Sequence, residues 1–248
     1  MPNTPLLPHL DDLAERAKRC GSWVAGTFLT PEEAAQAEQA FRNRKDVTLL
    51  LDGGFANAER AVPVFLPSGE ESYLREEVLA ALEFQWRLQD SVGHRDMLGA
   101  TLALGLQRAV LGDIDIEQGR AVLICLHRVV PLLLEELQTA GRVGLKGREI
   151  PLEELPQNEK EYRCERHTVA SPRVDALLAE AFRCSRGAAE EWLRMGLVQL
   201  NHAECLNGAK QAREGDLLTV RGKGRCRLLE LGGESRKGRV WVTVGFEI

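Results

Sequence analysis

Apolar positions recur at helical spacing near the start of the chain, where Leu10, Leu13, Ala14 and Ala17 fall on one face. A first amphipathic helix is expected there. Thr30-Pro31-Glu32-Glu33 marks a second helix start. Thr30 is placed to cap, Pro31 suits the first helical position and Glu33 completes a capping box, with the helix running to about Arg44. The period then changes. Val47 to Leu51 is a short apolar run ended by Asp52-Gly53-Gly54, which predicts a buried strand and a tight loop. Val62 to Leu66 is expected as its neighbour, and Pro63 and Pro67 point to an edge strand, because proline cannot donate to a ladder.

From residue 77 the pattern becomes regular. Val78 to Trp86 reads as a strand, and Arg95 to Gln107 as a helix with Met97, Leu98, Leu102 and Leu106 at helical spacing. Gly112 to Ile116 and Ala121 to Leu126 read as strands, Val129 to Thr139 as a helix and Val143 to Ile150 as a last strand. The order β-α-β-β-α-β predicts a split βαβ sheet with two helices on one face, as in RNA-recognition domains. The stacking aromatics of those domains are missing, since Ala121 to Leu126 holds none. Topology alone does not assign a function. Pro151 to Lys160 is polar and proline-flanked, the composition of a linker.

The last third alternates short helices and strands. Arg173 follows Ser171-Pro172 and opens a helix with Leu177, Leu178 and Ala181 on one face. Cys184-Ser185-Arg186 breaks it, with Ser185 positioned to cap a second helix that carries Ala189, Trp192 and Leu193 and ends at Gly196. Strands are expected at Val198 to Leu200, Leu217 to Val220 and Val240 to Ile248, with turns at Asn201-His202 and Gly215-Asp216. The fold class is therefore α+β. Residues 1–76 form helices and a short β segment, 77–150 the split βαβ domain, 151–160 the linker and 161–248 a small C-terminal domain.

Composition and charge narrow the function. The hydrophobic content of 44% supports buried cores. The net charge of −5 is unevenly spread. Residues 1–167 hold 19 Lys and Arg against 27 Asp and Glu, a net of −8, and residues 168–248 hold 13 against 10, a net of +3. Attraction to phosphate is expected at the C-terminus. The six cysteines form no C-x-x-C pair, so neither a zinc ribbon nor a redox motif is indicated, and they read as small buried hydrophobes in a reducing cytosol. No signal peptide and no membrane-length apolar run is visible, so a cytoplasmic protein with no membrane partner is expected. No histidine pair at metal spacing and no G-x-x-x-x-G-K-[ST] loop is present, so no metal and no cofactor are expected.

The candidate chemistry is cationic. Arg173, Arg186 and Arg194 fall near helix ends or on a polar face, where a guanidinium can fork onto phosphate oxygens. In Arg221-Gly222-Lys223-Gly224-Arg225 the glycines let backbone amides approach a phosphate closely. His94-Arg95-Asp96 reads as a helix N-terminus, with Asp96 favouring the dipole and Arg95 a phosphate contact, rather than as a catalytic group. Glu59-Arg60 reads as a structural ion pair, and Arg42-x-Arg44-Lys45 as a solvated helix end.

The C-terminal pattern resembles the alpha-L RNA-binding motif. The residues that carry the resemblance are Arg173-x-Asp175-x-x-Leu178, Ser185-Arg186, Gly196-x-Val198-x-Leu200-Asn201, Gly215-Asp216 and Gly224-Arg225. It implies that Arg173, Ser185, Arg186, Lys223 and Arg225 face RNA and that Asp175 orients a neighbouring arginine. The second helix departs from the pattern, with Ala188, Ala189, Glu190 and Glu191 where further basic residues are common. Upstream, Phe28-Leu29-Thr30-Pro31, Gly53-Gly54-Phe55-Ala56-Asn57-Ala58-Glu59-Arg60, Gly93-His94-Arg95-Asp96-x-Leu98-Gly99, Leu104-Gly105-x-x-Arg108 and Gly112-Asp113-Ile114 extend the resemblance to the YlmH/RqcP-like family of bacterial RNA-binding proteins. That family implies a non-enzymatic factor that binds ribosomal RNA, the large ribosomal subunit and tRNA while a partner protein adds C-terminal alanine tails to stalled nascent chains. A cell-division association and a related photosystem II branch leave open an adaptor with an RNA-binding fold. An RNA-modifying enzyme using the C-terminal module as a targeting arm is the remaining alternative.

Overall fold

The computed structural model describes residues 5–55, 58–155, 162–235 and 238–247. The chain divides into two compact units, Met1–Asn158 and Glu159–Ile248.

The first unit begins with α1 (Leu6–Cys20), β1 (Val24–Ala25), α2 (Pro31–Phe41), β2 (Val47–Asp52) and β3 (Val62–Pro67). The expected capping box starts α2. Glu33 N donates to Thr30 Oγ1 at 3.3 Å, and Thr30 N donates to Glu33 Oε2 at 2.8 Å. The strand order is β1-β3-β2, so β3 is the central strand and all six of its residues are buried. The edge position expected from its prolines is corrected. Pro63 O accepts from Gly26 N at 2.9 Å, so the backbone polar side of Pro63 faces β1. Proline has no N–H to return a bond to Gly26, but β1 is two residues long and ends there, so the loss falls at the end of the ladder.

Next come α3 (Arg75–Val78), β4 (Leu79–Gln85), α4 (His94–Ala103), β5 (Leu111–Glu117), β6 (Arg120–Leu126) and α5 (Val130–Glu136). A small hairpin of β7 (Thr139–Ala140) and β8 (Val143–Gly144) leads into β9 (Lys146–Ile150). The antiparallel sheet has the order β5-β6-β4-β9, which is the split βαβ arrangement. Alternation along its strands serves two cores. Ala80, Leu82, Phe84 and Leu123 pack with Met97 of α4 and Leu133 of α5. Leu79, Ala81, Val122 and Ile124 pack instead with Val62, Val64 and Leu66 of β3. On the far side of β3, Phe65 meets Leu10 and Ala14 of α1 and Phe41 of α2.

The unit is thus four layers, helices outside and two sheets inside, and the expected division between residues 76 and 77 falls within a shared core. Arg60 holds the two sheets together. Its Nε donates to Leu111 O at 3.0 Å, and Nη2 donates to Phe28 O at 3.1 Å and Arg108 O at 3.3 Å. Burial, opposed by the charges of Asp113 and Glu33, holds the Arg60 pKa below its ordinary value. Leu152 and Leu155 are buried in the core between the sheets, so the first half of the expected 151–160 linker belongs to this unit. Residues 156–160 lie outside the described residues.

The second unit contains β10 (Tyr162–Val169), α6 (Val174–Ala181), α7 (Arg186–Arg194), β11 (Val198–Leu200), β12 (Ala203–Glu204), β13 (Leu217–Val220), β14 (Gly224–Glu234) and β15 (Val240–Glu247). They form an antiparallel sheet of order β10-β15-β14-β13-β11-β12. Both helices pack on one face. Leu177 and Leu178 of α6 and Ala189 and Leu193 of α7 join Leu218, Leu228, Val242 and Val244 in one core. No helix among the described residues is long and apolar enough to cross a membrane.

Candidate nucleic-acid interface

The site is built at the start of α6. Arg173 is its N-cap residue, in extended backbone, and Asp175 sits in the first turn, where a carboxylate favours the helix dipole. The first free N–H groups of α6 are satisfied by the loop after β12. Val174 N donates to Lys210 O at 3.0 Å, and Asp175 N donates to Gly208 O at 3.1 Å. Gly208 permits this approach, since a Cβ there would lie 2.9 Å from Leu193 Cδ1 and 3.0 Å from Asp175 Cβ. Asp175 is consequently 1% exposed although it is ionisable.

Two arginines converge on that buried carboxylate. Arg173 donates from Nη2 to Oδ2 at 2.6 Å and from Nε to Oδ1 at 3.1 Å, a two-pronged contact. Arg186, the first residue of α7, lies with Nη2 3.4 Å from Oδ1. Burial opposes ionisation of Asp175. The hydrogen bonds and charge of Arg173, with the charge of Arg186, outweigh it and hold the carboxyl below its ordinary range. Both guanidiniums remain accessible, with side chains 37% and 57% exposed. Each keeps N–H groups beyond those spent on Asp175, so the pair presents oriented donors to solvent.

The neighbouring predicted residues divide between structure and surface. Ser185 caps α7, its Oγ accepting from Ala188 N at 3.1 Å, and so fixes where Arg186 starts. Lys223, at the tip of the β13–β14 turn, places Nζ 5.3 Å from the Trp192 ring of α7. Arg173, Ser185, Arg186 and Lys223 therefore gather on the helix side of the unit. Arg194 ends α7, roughly 12 Å along the axis from Arg186, and pairs with Glu191 at 3.7 Å. Arg225 goes elsewhere. It pairs in register with Thr219, while its neighbour Cys226 points into the core with the helices, so Arg225 lies on the opposite sheet face. Asn201 and Asp216 are structural, with Asn201 Nδ2 donating to Asp216 Oδ1 at 2.7 Å and Asn201 Oδ1 accepting from Leu217 N at 2.8 Å. In the first unit, Asp96 Oδ2 accepts from Gly93 N at 2.9 Å, capping α4, and His94 and Arg95 are exposed.

Two family models match the chain, one described as "YlmH, N-terminal" over residues 6–62 and one as "Putative RNA-binding domain in YlmH" over residues 78–154. A Bacillus subtilis (strain 168) protein named ribosome-associated protein quality control protein P2 is 32% identical over 220 residues, which are 87% of this chain and 84% of that one. The chain belongs to the YlmH family. The solved structure titled cell division protein ylmH from Streptococcus pneumoniae is similar in fold, with a TM-score of 0.53 at 17% identity, covering 62% of this chain and 93% of that one.

This YlmH-family chain departs from RNA-recognition domains in its use of the split βαβ sheet. Those domains stack bases on aromatics of the open sheet face. Here the corresponding face, with Leu79, Ala81, Val122, Ile124 and Ile150, is buried against β3 and Phe28. Further along the same face Glu83 is also buried, its carboxylate receiving Arg148 Nε at 2.6 Å with Arg120 Nε at 2.8 Å. The unbroken apolar run from Val62 to Leu66 is the pattern of a strand buried on both faces, but it does not say that one of those faces meets a second sheet. The register of Arg225 was open to the alternation rule once Cys226 and Leu228 were recognised as core positions.

Proposed function

We propose that this chain is an RNA-binding factor that acts on the ribosome without catalysing a reaction. The observation that carries the reading is the buried Asp175 carboxylate with Arg173 and Arg186 held on it. A charge buried this completely is expensive unless it is paired. Its effect is to fix two forked cations at the starts of α6 and α7, with Arg194 at the far end of α7 and Lys223 against Trp192. Oriented guanidiniums recognise phosphate oxygens and so position the protein on RNA, and recognition comes from RNA shape because few base edges can be read this way. The excess of three positive charges over residues 168–248 favours phosphate binding by this unit as a whole.

The ribosomal context is supported by the B. subtilis relative, whose name places it in ribosome-associated protein quality control. In the finer reading, the chain contacts ribosomal RNA of the large subunit and tRNA while a partner protein adds alanine tails, in the cytoplasm. Arg95, exposed at the start of α4, is a further phosphate contact from the first unit. Sucrose-gradient sedimentation of the tagged protein at low and moderate salt tests this. Co-migration with the large subunit, reduced in Arg186→Ala, is expected. Protein that stays at the top of the gradient at both salt concentrations contradicts the ribosomal reading.

A further inference from the structure

The sheet of the second unit has a second face, which α6 and α7 do not cover. Val242 and Val244 of β15 point into the core with the helices, so Trp241, Thr243 and Gly245 point the other way. Arg166 of β10 is paired with Thr243 and Arg227 of β14 with Gly245, which puts both on this face beside Arg225. We propose that this face binds single-stranded RNA, with Trp241 and Tyr162 as stacking platforms and Arg166, Arg225 and Arg227 as phosphate contacts.

The side chains are arranged as two aromatic–arginine pairs. The Arg166 guanidinium lies 4.6 Å from the centre of the Trp241 ring. Tyr162 lies over Gly245, where a Cβ would come within 2.8 Å of its ring. The phenol oxygen of Tyr162 accepts from Arg227 Nε at 3.0 Å, and Arg227 Nη1 donates to Gly215 O at 2.7 Å. The absent side chain at Gly245 makes room for the Tyr162 ring and for Leu229, whose Cδ1 would lie 2.7 Å from a Cβ there. Trp241 and Gly245 are four residues apart along β15, about 13 Å, a span that accommodates consecutive unstacked nucleotides. Both aromatic side chains are partly exposed, and Arg166 and Arg225 are exposed.

The ligand class follows from the chemistry. Aromatic faces accept any base, and arginine beside them holds the backbone, the combination by which sheet proteins take single strands. A duplex keeps its bases stacked inside and offers them to no flat platform. Acidic residues occupy positions on the face as well: Glu230, whose Oε2 accepts from Thr243 Oγ1 at 3.2 Å, Glu204, in register with Gln199, and Glu247, in register with Tyr162. They match the arginines in number, so the preference for a single strand rests on the aromatic–arginine pairs rather than on net charge. A protein strand added to the outer edge of β10 is the competing occupant, and the charges of Arg163 and Arg166 on that strand disfavour it.

This inference rests on the RNA-binding reading only for the class of ligand, because it uses different residues. The test measures binding of full-length protein to an unstructured twelve-nucleotide RNA and, separately, to an RNA hairpin, by fluorescence anisotropy. Trp241→Leu is expected to weaken the single strand about five- to hundredfold, Trp241→Phe to change it by less than about threefold because an aromatic face remains, and Arg166→Gln to weaken it about tenfold. Circular dichroism verifies folding, and Arg166→Gln, at an exposed side chain, keeps the test decisive should Trp241→Leu unfold. Hairpin binding, which depends on Arg186, is expected to be unchanged in all three. Single-strand affinity unchanged in Trp241→Leu and Arg166→Gln overturns the inference, and is the result a protein-binding face would give. A wild type that binds the hairpin alone overturns only this inference, whereas one that binds neither RNA overturns the proposed function as well.

Discussion

Asp175 grips Arg173 with two hydrogen bonds, of 2.6 and 3.1 Å, while itself almost wholly buried. The pair orients a cation at the protein surface from below. Asp175→Asn tests orientation against bulk charge. The variant gains one positive charge, so a purely electrostatic surface would bind RNA more tightly. Loss of the forked geometry predicts the reverse, a weakening of about tenfold in hairpin affinity by anisotropy, since a charge-assisted bond contributes about 1.5–3 kcal/mol.

The same contact gives a pH dependence. The Asp175 pKa is lowered in the folded state, from an unfolded value near 3.9. A depressed carboxylate contributes stability above its unfolded pKa and loses it as pH falls through the folded one. Urea unfolding of the wild type and Asp175→Asn is therefore expected to differ at pH 7 and to converge progressively below about pH 4. A difference that stays constant from pH 7 to pH 3 would show that the carboxylate charge contributes nothing.

The joint between the two sheets of the first unit predicts a packing defect. A Cβ at Gly112 would lie 2.8 Å from Phe28 Cε1 and 3.0 Å from Ile124 Cβ. Gly112→Ala is expected to destabilise the protein by about 1–3 kcal/mol through overpacking. In a Phe28→Leu background the same substitution is expected to cost less, because the clashing ring is gone. Additive effects in chemical denaturation would count against this account of the joint.

Two residues beyond Phe28, Thr30→Ala removes the acceptor for Glu33 N. About 1 kcal/mol of stability is expected to go with it, a fall of about 2–4 °C in thermal midpoint for a chain of this size. RNA affinity is expected to be unchanged.

What was legible in the sequence was the local chemistry. Thr30 and Glu33 announced α2, the alternation of short apolar runs announced the split βαβ order, and Ser185 announced the start of α7. What was hidden depended on distant partners. Pro63 signals an edge strand only where its neighbours are long, and β1 is short. Tyr162–Val169 shows no apolar alternation, yet it forms an eight-residue strand because β15 pairs along its whole length. Leu152 and Leu155 lie among polar residues and read as linker, but the core between the sheets takes both. Within the site, the motif named Arg173, Asp175 and Arg186. That a single carboxylate holds both arginines, and that Arg225 faces away from them, required the loop at Gly208 and the register of β14.

The central claim, that Arg173 and Arg186 on Asp175 hold RNA phosphate, is tested most directly by the salt dependence of hairpin affinity. The logarithm of the binding constant is measured against the logarithm of salt concentration for the wild type and for Arg186→Ala. Loss of one phosphate contact predicts weaker binding together with a slope shallower by about 0.7–0.9. Equal affinity and equal slope for the two proteins would contradict the account.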